Sequence, residues 1–178
     1  MLFWNKTIPQ LNIDQREYKP LIKNDWFRKH YMWFAYGLMI LIYLTAFFTG
    51  GFRAGNIIIR ILVFLAVYPV HELLHIVTVC RKGDIYLSHS GIYFWLTPDI
   101  ELSKGRFWIF ITLPLIILTG FTGAGAVFAS GALREYLAYI AWINAFIAGS
   151  DIINSFFILI KPSGSSFYRG YYRLKETG

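Results

Sequence analysis

Four long apolar stretches constrain the fold of this chain more than any other feature. They cover about residues 31–49, 57–80, 107–129 and 134–160, and about 20 mostly apolar residues are enough for a helix to cross a bilayer. Only 15% of the 178 residues are charged, whereas soluble domains contain about 25%. The sequence therefore predicts an all-α polytopic membrane protein, with four transmembrane helices in one membrane domain over residues 31–160.

The basic residues predict how this domain is oriented. Arg53, Arg60 and Arg134 are the three cations on one side of the apolar stretches, and the other fourteen of 17 lie in residues 1–30, 81–106 and 161–178. Cytoplasmic segments of membrane proteins carry the excess of Lys and Arg. We therefore expect a multi-pass plasma-membrane protein with a cytoplasmic N-terminal arm (1–30) and a basic, aromatic cytoplasmic tail (161–178).

The net charge of +7 raises the question of a nucleic-acid partner. The basic residues lie in the short segments between apolar stretches and not along one polar face. Such a distribution is typical of contact with a bilayer surface. The predicted partner is the lipid bilayer, and no nucleic acid is expected.

The segment between the second and third stretches has a different pattern. Residues 84–103 contain the short aromatic and β-branched runs "DIYLS" and "IYFWLTPDIELS", separated by "HSG". Such runs predict two or three short strands, and hence a small cytoplasmic-side β-hairpin or sheet. An aromatic anchor in the membrane interface and a surface that contacts a substrate are equally compatible with this composition.

The second stretch contains the sequence "HELLH", residues 71–75. His71 and His75 lie one helical turn apart on the same face, where both imidazoles can reach one metal ion, and Glu72 can accept a proton from water bound to it. A polar cluster bonded across helices, or a proton relay, is the alternative, but neither requires this spacing. Ionisable residues inside a membrane are functional by default, which favours the metal site.

A tetrahedral zinc site needs a third protein ligand. Because Cys80 is the single cysteine, the candidates are His30, His89, Asp99, Glu101 and Asp151. His75 and His71 lie six and ten residues before Arg81, and Asp151 lies ten residues before Lys161. At about 1.5 Å per helical residue, all three are roughly 9–15 Å from the basic ends of their stretches. This common depth favours Asp151, with His89 as the second candidate.

Two asparagines of the fourth stretch are further candidate site residues. Asn144 and Asn154 precede and follow Asp151 by seven and three residues, so both can share its helix face. Either amide could donate to an oxyanion or contact the substrate. A packing hydrogen bond between helices is the more common use of an asparagine in a membrane.

These residues resemble those of the site-2-protease class of intramembrane zinc metalloproteases. The closer resemblance, over about residues 31–175, is to small bacterial four-span proteins described as putative membrane zincin peptidases. It rests on "HELLH", the β-rich segment and the later intramembrane aspartate. One departure is "GSDIINS" around Asp151, where the larger family has an Asn-Pro-x-x-Asp-Gly type of motif.

The resemblance implies a bacterial zinc-dependent endopeptidase that cleaves a membrane peptide or single-span protein near the cytoplasmic leaflet. It implies that His71, His75 and Asp151 hold Zn²⁺, that Glu72 is the general base, and that the β-rich segment receives an unwound substrate by strand addition. The alternative is a non-proteolytic metal-binding chaperone, immunity or regulatory protein. Iron oxygenases and desaturases need more clustered histidines than these four, and no repeat indicates a transporter.

Overall fold

The chain is mostly helical. The structure, a computed structural model, describes residues 2–4, 14, 16–80, 83–90 and 93–174. A π-helical segment, Leu115–Phe121, joins the third and fourth of its helices. The helices are α1 (Asp25–Phe48), α2 (Ile57–Val79), α3 (Lys104–Pro114), α4 (Thr122–Phe128), α5 (Gly131–Ile147) and α6 (Gly149–Leu159).

Side-chain caps set where the first two helices begin. The Asn24 side chain accepts a hydrogen bond from the Phe27 amide at 2.9 Å, and Asn56 accepts one from the Ile59 amide at 3.0 Å. Such caps satisfy backbone donors that have no partner within the helix. Helix α1 therefore begins in polar sequence before residue 31, whereas α2 agrees with the predicted stretch 57–80 to within one residue.

Several of these helices are candidate membrane spans. Asp25–Phe48, Ile57–Val79 and Lys104–Phe128 are each long and apolar enough to cross a bilayer. The fourth predicted stretch is not one straight helix, because α5 and α6 meet at a 64° bend. The mostly helical fold with several candidate membrane spans is confirmed, and the count of four spans stays a prediction.

Two small sheets lie beside one end of the helices, which we call the sheet end. In the first, β3 (Ile85–Ser90) pairs in parallel with β1 (Leu2–Trp4) and antiparallel with β4 (Tyr93–Pro98). The second sheet is antiparallel, and its strands lie in the order β2 (Lys19–Pro20), β7 (Tyr171–Leu174), β6 (Ser165–Tyr168) and β5 (Leu102–Ser103). The strands predicted within residues 84–103 are confirmed as β3, β4 and β5 (Leu102–Ser103).

The sequence pattern did not indicate how the tail folds. Residues 165–174 form a hairpin of β6 (Ser165–Tyr168) and β7 (Tyr171–Leu174), which pairs with β5 and with β2 (Lys19–Pro20). Its two turn residues, Arg169 and Gly170, have φ of 44° and 83°, as the tightest hairpin turns require. The tail and the N-terminal arm are thus joined in one sheet.

The buried core lies where this sheet meets the helix ends. It is built from Val79, Phe110 and Ile158 of three helices together with Phe167 and Tyr172 of the hairpin. At the rim, the Arg173 guanidinium donates to both carboxylate oxygens of Glu101 at 2.7 Å and to Glu17 at 3.0 Å. The hydrogen bond to Glu101 raises the pKa of Arg173 above its usual value.

Removing the most buried aromatic side chain of the hairpin from this core should loosen the sheet end. Phe167 is 2% exposed and stacks on Phe107. We expect Phe167→Ala to lower the free energy of unfolding by about 3–5 kcal/mol, because it leaves a cavity. Thermal unfolding in detergent measures this loss.

The matched control is Leu174→Ala in the same hairpin, where the side chain is 53% exposed. This variant should melt close to the wild type. Equal melting of the two alanine variants would contradict the assignment of Phe167 to the core.

Candidate metal centre

Three predicted ligands converge between α2 and α6. His71 Nε2 and His75 Nε2 lie 3.1 Å and 3.4 Å from Asp151 Oδ2, and 3.2 Å from each other. Both histidines are buried. Within the described residues these three side chains form the group of ligand atoms able to hold a metal ion.

A backbone carbonyl fixes the protonation of His75. Its Nδ1 lies 2.6 Å from the carbonyl oxygen of Phe110 on α3. A carbonyl oxygen can only accept, so the proton of the neutral ring is on Nδ1. The lone pair of Nε2 therefore points at Asp151.

A side-chain network fixes His71 in the same way. The Asn144 amide nitrogen donates to the Pro114 carbonyl at 3.1 Å and to Thr119 Oγ1 at 3.0 Å, and the Thr119 hydroxyl donates to the Ala141 carbonyl at 3.2 Å. These partners orient the amide so that its oxygen faces His71 Nδ1 at 2.9 Å. Nδ1 must then be the donor, and Nε2 again presents a lone pair.

Three lone pairs thus point at one another in a buried space. This arrangement is favourable only with a cation between them, either a metal ion or a proton shared with the carboxylate. Two imidazole nitrogens and one carboxylate oxygen are a common ligand set of catalytic zinc, with the fourth position left for water.

The separations also fit zinc. Ligand atoms at about 2.0–2.2 Å from a tetrahedral ion lie about 3.3–3.5 Å from one another, and the observed separations are 3.1–3.4 Å. Each histidine has its second nitrogen bonded to a protein oxygen, as zinc-binding histidines usually do. The residues present therefore fit a zinc ion.

The bend between α5 and α6 brings Asp151 to the histidines. At the bend, Gly149 packs against α1 so closely that a Cβ there would lie 2.6 Å from Met39 Cγ. The Tyr31 hydroxyl of α1 donates to the Ser150 carbonyl at 3.0 Å. Contacts with α1 thereby hold the first turn of α6, where Asp151 lies.

The cluster opens onto a cavity of about 1170 Å³, which we call the central cavity. Glu72 lines this cavity together with the three ligands, and it is the second carboxylate among the lining residues. Residues Leu96–Pro98 of β4, Arg28 and the 169–171 turn also line it. The cavity thus extends from the buried cluster to the sheet end of the protein.

The other candidate ligands lie elsewhere. His30 bonds to the Trp26 carbonyl on the exposed side of α1. Asp99 accepts from Tyr168 at 2.6 Å and from Arg169 at 2.8 Å, and Glu101 pairs with Arg173. His89 lies in β3, and its side chain is outside the described part of the chain.

The two asparagines have different surroundings. Asn144 is fully buried and both of its amide atoms are engaged with His71, Pro114 and Thr119, so it supports a candidate ligand and is not available to a substrate. Asn154 lines the central cavity, as Tyr31 does. Sequence reasoning missed Tyr31 and Thr119, because no local pattern sets them apart from other hydroxyl residues in apolar helices.

We expect the amide network behind His71 to control metal affinity. Asn144→Leu removes the acceptor for His71 Nδ1, and Thr119→Val removes the hydroxyl that orients Asn144. Loss of such supporting hydrogen bonds typically weakens metal binding about 10- to 100-fold. Competition with a chromophoric chelator measures the zinc affinity of each purified variant.

Thr119→Ser is the control, because it keeps the hydroxyl and should retain wild-type zinc affinity. Unchanged affinity in both Asn144→Leu and Thr119→Val would remove the network from the metal site.

Comparison with known proteins gives one finding. A protein-family model described as "Putative zincin peptidase" matches residues 64–166, more than half of the chain. The matched range contains residues 71–75 and Asp151. No curated protein and no solved structure matches the chain.

Proposed function

The chain belongs to the zincin peptidase family, and from this premise we propose that it is a zinc-dependent intramembrane endopeptidase. It would hydrolyse a peptide bond of a membrane-embedded or membrane-associated peptide near the cytoplasmic leaflet. The observation that carries the proposal is the convergence of His71, His75 and Asp151 at the inner end of a cavity that Glu72 also lines.

The two histidines and the aspartate would hold the zinc ion. Bound zinc supplies Lewis-acid polarisation of the scissile carbonyl and lowers the pKa of a coordinated water. The Nδ1 bonds to Phe110 and Asn144 keep both imidazoles in the tautomer that this role requires.

Glu72 would act as the general base. It precedes His75 by about one helical turn and lines the same cavity as the three ligands. It would take a proton from the attacking water and deliver it to the leaving amine. A carboxylate next to a cationic centre is well placed for both transfers.

Asn154 is the remaining candidate for an oxyanion contact. Its amide lines the central cavity three residues after Asp151, whereas the amide of Asn144 is used behind His71. An amide donor aimed at the developing oxyanion lowers the barrier to hydrolysis.

Strand β4 would hold the substrate in an extended form. Among the described residues it is the outer strand of its sheet, paired on one side with β3, and Leu96 and Thr97 line the central cavity. A peptide bond inside a helix is already hydrogen-bonded, so the helix must unwind before hydrolysis. Main-chain bonds to a free strand edge can replace the helical ones.

Two substitutions test the peptidase and its ligand set together. Glu72→Gln should keep zinc and lose cleavage of candidate membrane peptides, because it removes the base and no ligand. Asp151→Ala should lose both zinc and cleavage. Zinc content by atomic spectroscopy and cleavage by mass spectrometry are measured on the same purified samples.

Normal zinc content in Asp151→Ala would transfer the third ligand to His89. Two results together would favour the non-proteolytic chaperone, immunity or regulatory function. The wild type would bind zinc and cleave none of the peptides, and Glu72→Gln would leave the cellular phenotype unchanged. A wild type that never binds zinc would end the proposal.

The cytoplasmic position of the sheet end has its own test. In a Cys80→Ala background, a cysteine at position 89 should be labelled only from the cytoplasm, as the excess of basic residues predicts. A cysteine at Thr49, in the α1–α2 turn, is the matched control and should be labelled only from outside. The reverse pattern would invert the proposed orientation.

A further inference from the structure

A second cavity lies at the end of α2 opposite the sheets. It has a volume of about 670 Å³ and is enclosed by the end of α1, the α1–α2 turn, the start of α2 and one face of α5. We call it the turn-end pocket. Its Arg60 precedes His71 by eleven residues on α2, a rise of about 17 Å along the helix, so the pocket is separate from the metal cluster.

The walls of the turn-end pocket are apolar, apart from two arginines. Apart from Gly50, Arg53 and Arg60, the lining residues are phenylalanine, tyrosine and isoleucine. Phe48, Ile57 and Ile61 are 79%, 60% and 51% exposed, so on the membrane side the pocket faces lipid. A flexible hydrocarbon chain is the ligand that such walls fit best.

The two arginines leave positive charge in this pocket without a carboxylate. No Asp or Glu is among the lining residues, and the described residues form no ion pair with Arg53 or Arg60. Within the part of the chain that the structure describes, the Arg60 guanidinium donates to the Phe52 carbonyl at 2.7 Å. The amino-terminal end of α2 adds further positive potential.

The two arginines would complement an anion where the pocket meets the membrane surface. Arginine binds phosphate through a planar set of donors, more specifically than an ammonium group does. The arginines at the mouth suit a charged headgroup, and the apolar walls below them suit a hydrocarbon chain of the same molecule. We propose that the turn-end pocket binds one anionic phospholipid, with its phosphate on Arg53 and Arg60 and an acyl chain along Ile57 and Ile61.

This proposal does not rest on the peptidase function. The pocket shares no lining residue with the ligand cluster, although Phe64 lines both cavities. The Tyr139 hydroxyl donates to the Arg60 carbonyl at 2.9 Å, which ties the pocket to α5. The lipid would stabilise the packing of α1, α2 and α5 at this end of the protein.

The test titrates the full-length protein in detergent with phosphatidylglycerol and, separately, with phosphatidylcholine. Native mass spectrometry measures the bound lipid. The wild type should bind one phosphatidylglycerol in preference to phosphatidylcholine. Arg53→Gln should weaken phosphatidylglycerol binding about tenfold, because a charge-assisted contact is lost.

Arg134→Gln is the matched charge control, because Arg134 lies outside the pocket at the start of α5. It should retain wild-type binding. Equal loss in Arg53→Gln and Arg134→Gln would show attraction to surface charge in general and would overturn the proposal, as would unchanged binding in both Arg53→Gln and Arg60→Gln.

A second pair of variants tests whether the acyl chain lies in the pocket. Ile61→Trp fills the pocket and should abolish binding of either lipid, whereas Leu62→Trp places the same side chain at an exposed position outside it and should retain binding. Thermal unfolding in detergent close to that of the wild type shows that a variant is folded. A folded Ile61→Trp variant that binds phosphatidylglycerol as the wild type does would overturn the proposal.

Discussion

The convergence of three lone pairs in an apolar interior is the constraint on which the rest of the structure depends. His71, His75 and Asp151 would repel one another without a cation, because both imidazole protons are held on the far nitrogen by Asn144 and Phe110. Those two acceptors come from α5 and α3. Helix α2 thus supplies the imidazoles and α6 the carboxylate. Acceptors on α3 and α5 fix the tautomers of the two imidazoles.

Two irregular backbone segments make this arrangement possible. The bend at Ala148 turns α6 so that Asp151 faces α2, and the π-helical segment after Pro114 presents Thr119 to Asn144. Irregular backbone at membrane depth is tolerated only where other groups satisfy its polar atoms. Here the Pro114 carbonyl accepts from Asn144 and the Ser150 carbonyl accepts from Tyr31, so the irregular segments and the site stabilise each other.

Those features of the fold and the site that follow short-range rules could be predicted from the sequence. Helical periodicity placed His71 and His75 on one face, and the distance from the basic ends put Asp151 at their depth. The roles of Asn144 and Thr119 depend on contacts between helices, which no spacing encodes. The hairpin of the tail could not be predicted, because "YRGY" lacks the Asn-Gly or Asp-Gly pair that marks the tightest hairpin turns. Its pairing with β5 and β2 also joins segments far apart in the chain.

Charge balance explains why the polar groups of the central cavity are tolerable together. A charged residue at the centre of a membrane helix costs about 2.5–3.5 kcal/mol on insertion scales. When both acids are ionised, Asp151 and Glu72 carry two negative charges and the two imidazoles carry none. A divalent cation would bring the net charge of these four side chains to zero. The same cation removes the repulsion between the lone pairs, so one ion offsets both costs. The metal would therefore stabilise the fold as well as the chemistry, because without it the lone pairs of the three ligands would need a shared proton between them.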